Sequence, residues 1–175
     1  DGYKTRIFHP YSGFWKHSFY DYSAPLDAEI EQKFIPRHRL SKVNPNADIS
    51  EAVEPIIYYL DPGIPEPVMT ALREVALWWD QAFIAAGYKN AFQVKVLPEG
   101  ADPMDARYNV IQWVHRATRG WSYGSSVIDP RTGEIIKGHV TLGSLRVRQD
   151  FLIALGMTSP FENESSGKAN TDAQL

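Results

Sequence analysis

The sequence predicts an α/β fold: a mixed, twisted sheet of about five strands with one long helix on a face. Three observations predict it. The run Ile56-Ile57-Tyr58-Tyr59-Leu60 lies between Pro55 and Asp61-Pro62-Gly63, which reads as a buried strand closed by a turn. Val68, Leu72, Val75, Trp79, Phe83 and Ala86 then recur at helical steps. Further on, two β-rich runs flank Asp129-Pro130-Arg131-Thr132-Gly133. Proline at the second turn position and a closing glycine make a tight reversal, and hence an antiparallel hairpin.

The elements follow in order. Residues 1–23 carry Phe8, Tyr11, Phe14, Trp15, Phe19, Tyr20 and Tyr22 without a clean period. They read as an extended arm with one short strand, its rings covering part of the core. A short helix is expected over 27–34, because Leu26, Ile30 and Phe34 share one helical face and Pro36 ends it. Residues 41–54 read as loop. After the first strand, the long helix spans 65–86, with Pro65 at its first position and Glu66 at the positive end of its dipole. Gly87 supplies a left-handed stop. Strands follow at 92–97 and 108–114, then the hairpin 122–128 and 135–142. A short helix is expected over 145–155, stopped by Gly156, and from Ser159 onward the composition is polar.

A strand–helix–strand crossover places its strands parallel, and the hairpin adds an antiparallel strand. The organisation expected is therefore an aromatic arm and linker over 1–54 packing on the core, an α/β unit over 55–156, and a polar tail over 157–175. The first strand is apolar on both faces, so the face away from the helix needs cover as well. Only the arm and the short C-terminal helix are expected to provide it.

Composition narrows the function. The 175 residues are 43% hydrophobic and 22% charged, ordinary values for one domain with a real core. A formal charge of −3 argues against nucleic acid or an anionic membrane as partner. The chain has no cysteine, which removes thiolate zinc sites, Fe–S clusters, disulfides and thiol nucleophiles. No stretch approaches the ~18 apolar residues of a membrane span. The first residue is Asp rather than Met, so the chain reads as a processed or cut piece.

No catalytic residue is assigned. A helical zinc site of the His-Glu-x-x-His kind needs two histidines four apart. The residues after His9, His17, His38, His115 and His139 are Pro10, Ser18, Arg39, Arg116 and Val140, and no two of these histidines have that spacing. Gly124-Ser125-Ser126 lacks the Gly-x-Ser-x-Gly elbow, and no phosphate loop is present. Asp102 and Asp105 look like turn formers. Trp79 falls on the core stripe of its helix, and Trp78 lies about 100° away, toward the rim or an adjacent element.

Longer runs carry a resemblance. Tyr58-Tyr59-Leu60-Asp61-Pro62-Gly63, Ala76-Leu77-Trp78-Trp79-Asp80-Gln81-Ala82-Phe83 and Tyr108-Asn109-Val110-Ile111-Gln112-Trp113-Val114-His115-Arg116 take part in it. The most specific stretch runs from Gly120-Trp121-Ser122-Tyr123-Gly124-Ser125-Ser126-Val127-Ile128-Asp129 through Lys137-Gly138-His139-Val140. Together they resemble bacterial zinc-dependent metallopeptidases of the metzincin-like group, over nearly the whole chain to about Gly156. The resemblance implies a metzincin-like N-terminal subdomain: strand, long helix, two strands, an antiparallel edge strand and a last strand. A zinc-binding His-Glu-x-x-His helix is expected to follow after Leu175. Zinc would then belong to the complete protein, with no metal ligand in this chain.

The resemblance further implies that the edge strand, at about Tyr123 to Asp129, lines the substrate cleft. Gly124, Ser125, Ser126 and Val127 are the candidate substrate-binding residues, through their backbone groups. The expected partners are a peptide or protein substrate and the remainder of the chain's own catalytic domain. The location implied is the periplasm or the outer surface of the cell. The alternative is a non-catalytic peptide-binding or assembly module on a peptidase-like scaffold.

Overall fold

The computed structural model describes residues 2–117 and 121–158. In chain order its elements are β1 (His17–Tyr20), β2 (Glu31–Phe34), β3 (Ser50–Glu51), β4 (Ile56–Leu60), α1 (Val68–Leu77), α2 (Asp80–Ala85), β5 (Tyr88–Lys89), β6 (Phe92–Val96), β7 (Asn109–Val114), β8 (Tyr123–Ile128), β9 (Ile135–Gly143) and α3 (Leu145–Thr158). The main sheet has five strands in the order β6-β4-β7-β9-β8. β4 pairs in parallel with β6 and β7, β7 pairs in parallel with β9, and only β8 runs antiparallel, against β9. The expected mixed α/β sheet is therefore present.

Alternation along the strands gives the sheet two unlike faces. Tyr58, Leu60, Ile111, Val140 and Leu142 share the face toward α1 and α2, whereas Tyr59, Val110, His139 and Thr141 share the other. Leu60 and Val110 are the largest fully buried side chains, one on each face. Tyr58 lies across the helix face and reaches β9. A Cβ added at Gly138 would come within 2.1 Å of its hydroxyl, so glycine is what lets the ring lie there. Phe92 packs against Tyr58 at 5.8 Å between centroids and stacks on Phe83 at 5.5 Å, which fixes the helices over β4 and β6. Toward β7 and β9 the same face stays open, with a hollow of about 410 Å3 lined by Val75, Trp79, Ile111, Val140 and Leu142 among others.

The opposite face is covered differently from expectation. Neither the arm nor α3 supplies the polar anchor there: α3 has no buried residue. The loop between β6 and β7 does. Its Tyr108 packs edge-on against Tyr59 at 5.1 Å, and its backbone carbonyls hold the Lys137 ammonium.

Several local expectations are corrected. Residues 27–34 are not a helix. Glu31–Phe34 is β2, paired antiparallel with β1, and Phe34 is buried while Leu26 and Ile30 are exposed. A helical face there would have had nothing to bury, whereas the strand satisfies its backbone on β1 and on the Ile7 bridge. The arm's rings are mostly outside: Tyr11, Trp15 and Tyr22 are exposed, and the arm docks instead by backbone pairing with the hairpin. Arg37 N–H donates to the Gly133 carbonyl, and Ile135 N–H donates back to Arg37. Arg39 adds a two-pronged ion pair to Glu134 at 2.7 and 2.8 Å. The 41–54 segment contains β3, which pairs with β5.

The long helix starts later than expected and is divided. The peptide Glu66-Pro67 is cis, and the helix begins at Val68, because a residue that precedes proline, here Glu66, is kept out of the helical region. At Trp78 and Trp79 the bonding tightens to i→i−3, Trp78 to Val75 and Trp79 to Ala76, separating α1 from α2. Both indoles are 66% exposed; Trp79 does share the sheet-facing stripe with Val75 and Phe83, but it stands over the open hollow rather than in a packed core. Gly87, at φ +81°, does supply the left-handed stop, and a Cβ there would meet the Asp48 carbonyl at 2.4 Å. Gly156 does not stop α3. It lacks the positive φ of a left-handed cap, and the helix continues to Thr158, whose hydroxyl donates back to Ala154. The rest of the expected polar tail, 159–175, and Gly120 of the resemblance lie outside the described residues.

Candidate functional site

Strand β8 exists because the hairpin turn before β9 is well specified. Asp129 Oδ1 accepts from Arg131 N–H at 2.9 Å, its carbonyl accepts from Gly133 N–H at 2.8 Å, and Gly133 takes φ +78°. The Arg131 guanidinium beside it holds the Asp129 carboxyl down to about 2. A register shift between Val127 and Ile128 bends the strand near this turn. At the other end, the Ser122 hydroxyl accepts from Gly143 N–H at 3.2 Å, and the Arg116 guanidinium lies 5.3 Å from the Tyr123 ring centroid.

Between these anchors, Gly124, Ser125, Ser126 and Val127 face Val140, His139, Gly138 and Lys137 across the ladder. All four are exposed, and among the described residues no strand pairs with the outer side of β8. Alternate N–H and C=O groups there are left for another chain. An ideal Cβ at Gly124 meets nothing within 4 Å, so the helix-side surface of this strand is open as well. The structure thus brings the four expected residues together on one free sheet edge.

The histidines are dispersed into local roles. His9 Nδ1 accepts from Tyr11 N–H at 3.2 Å, and His115 Nδ1 lies 2.8 Å from the Ser144 hydroxyl. His38 packs edge-on against Tyr58. Burial, then the Lys137 charge, push the His139 imidazole below its ordinary range. Among the described residues, no three His, Asp or Glu side chains gather into a group that could hold a metal ion. These residues therefore do not fit zinc.

Asp102 and Asp105 are turn formers as read: their carboxylates accept from Met104 N–H at 2.8 Å and Arg107 N–H at 2.9 Å. Two further residues have roles that no sequence pattern announced. Asn109 bridges strands with its side chain, donating to the Ile57 carbonyl at 2.9 Å and accepting from Gly138 N–H at 2.7 Å. Asp61 ties the end of β4 to β7, since its carboxylate accepts from Gly63 N–H at 2.9 Å and Trp113 N–H at 3.0 Å. The only sequence signal for Asp61 was its place before Pro62-Gly63. Compared with known proteins, this chain matches no family model, no curated protein and no solved structure.

Proposed function

We propose that this chain is the scaffold and one cleft wall of a zinc-dependent metallopeptidase of the metzincin-like group. The observation that carries the proposal is the antiparallel edge of β8 beside the parallel strand β9, unpaired on its outer side among the described residues. An extended peptide laid along that edge gains main-chain hydrogen bonds, and pockets on either side can read its alternate side chains. The sequence of elements supports the same reading: strand, helices, two strands, antiparallel edge strand, last strand, helix. So does the apolar hollow beside β7 and β9, which a further element of the same catalytic domain would fill.

The described residues offer no metal group, so no step of peptide hydrolysis is assigned to them. On this reading the zinc ligands and the group that activates water come from residues outside those described. The first test is the coding sequence after Leu175, which should contain His-Glu-x-x-His within a few tens of residues. The second is the whole protein, purified and assayed for zinc and for cleavage of a general peptide library. Stoichiometric zinc and cleavage abolished by a chelator are expected. Peptide binding without metal or turnover would overturn the peptidase reading in favour of a binding or assembly module. A periplasmic or outer-surface location belongs to the same proposal, and cell fractionation checks it.

A further inference from the structure

Lys137 is charged yet only 4% exposed. It lies on β9 beside Val127 of β8. Its ammonium donates to three backbone carbonyls of the β6–β7 loop: Pro103 at 2.6 Å, Asp105 at 2.7 Å and Tyr108 at 2.8 Å. A lysine ammonium has three donors and no acceptor, so the loop uses every one of them. The loop is curled for this purpose by its own short-range bonds. Asp105 N–H donates to the Asp102 carbonyl at 3.1 Å and Tyr108 N–H to the Asp105 carbonyl at 3.2 Å, and the two aspartates add their side-chain turns. Successive turns bring separate carbonyls to one point. Burial lowers the Lys137 pKa, the fields of the Asp105 and Asp102 carboxylates act against that in favour of the cation, and His139 is the neighbour that feels the charge.

We propose that the β6–β7 loop is a monovalent-cation site whose resident is the chain's own Lys137 ammonium. The class of ligand it takes is ammonium or a potassium-sized ion. Neutral carbonyls supply all three contacts, as in sites that replace the hydration shell of potassium. Contacts of this length are too long for magnesium, which demands about 2.0–2.1 Å, or for calcium at about 2.3–2.6 Å. The tethered cation fixes the loop over Val110 and Tyr59 and secures the turn end of the β8–β9 hairpin.

The test replaces the resident in the full chain. In tetramethylammonium buffer, Lys137→Ala should lower Tm by about 5–10 °C. Added ammonium or potassium chloride should restore it in a saturable way, and tetramethylammonium chloride at equal ionic strength should not. Lys137→Met fills the stem's space without the charge and should fall without recovery. A Lys137→Met variant as stable as the wild type, or recovery equal in all salts, overturns the proposal. Should the alanine variant not fold, the wild type still decides. Under amine acylation read by mass spectrometry, Lys137 should react at least about tenfold more slowly than exposed Lys89. Equal rates would overturn the proposal too.

Discussion

Gly138→Ala tests whether the Tyr58 ring is what demands a glycine in the middle of β9. The added Cβ would lie 2.1 Å from the Tyr58 hydroxyl oxygen and 2.8 Å from its Cζ. The ring cannot simply step aside, because Phe92 and His38 pack against it at 5.8 and 6.4 Å between centroids. Overpacking a core of this kind costs roughly 1–3 kcal/mol. Alanine's lower conformational entropy in a strand returns about 0.5–1 kcal/mol. The balance is a net loss of up to about 2.5 kcal/mol, or a fall in Tm of up to about 10 °C for a chain of this size. Tyr58→Phe removes the nearest atom but leaves Cζ, so it should recover part of the loss. Tyr58→Leu should recover more of it. The assay is chemical denaturation of the four members of the Gly138→Ala/Tyr58→Phe cycle. Strictly additive energies in the cycle would refute the steric argument.

Asp61→Ala should cost about 1–3 kcal/mol, because it strips partners from Trp113 N–H and Gly63 N–H, and Asp61→Asn should fall between it and the wild type in denaturant melts. In acid, Asp129 and Asp105 titrate at about 2 in the fold, below the ordinary aspartate range of about 4, so their stabilisation is full above about pH 4 and is lost as pH falls toward 2. Asp129→Asn should therefore flatten the Tm-against-pH curve in that window, and an unchanged slope would contradict the turn's role. Burial holds the His38 imidazole below 6.5, so the unfolded chain takes the proton first and stability falls as pH drops below 6.5. His38→Gln should lessen that fall in thermal melts across the same range. In the complete protein, Ser125→Pro and Ser126→Pro place proline on opposite sides of β8. One should break the ladder to β9 and lower Tm. The other should leave Tm unchanged and reduce kcat/KM on long peptides by about tenfold, since proline is tolerated on an outer edge but cannot donate to a bound strand. Full activity in the stability-neutral variant would sink the edge-binding reading.

Much of the sheet could be read before any coordinates. β4, β6, β7 and the β8–β9 hairpin fall within a residue or two of the expected strands, because apolar β-rich runs bounded by Pro, Gly and Asp are local signals. Gly87 and Gly133 were legible for the same reason, since positive φ leaves few other choices. The candidate site was only half legible. The segment 124–127 could be singled out, but that it lies on a free edge depends on which strands it does not pair with. The segment 27–34 misled because Leu26, Ile30 and Phe34 satisfy a helical period, while the partner that makes a strand of it, β1, is supplied by another part of the chain.

Short-range sterics and burial patterns, both written in the residue order, set the class of fold, the positions of the main strands and the tight turn of the hairpin. The tertiary structure alone decided the order β6-β4-β7-β9-β8, the exposure of Trp78 and Trp79, and what covers the sheet. It also turned Lys137, which in a strand reads as a solvated charge, into a buried tether for a loop 29 to 34 residues away in sequence. Such contacts are long-range. A lysine carries no mark of whether water or three carbonyls will take its protons, and only the closed fold makes that choice.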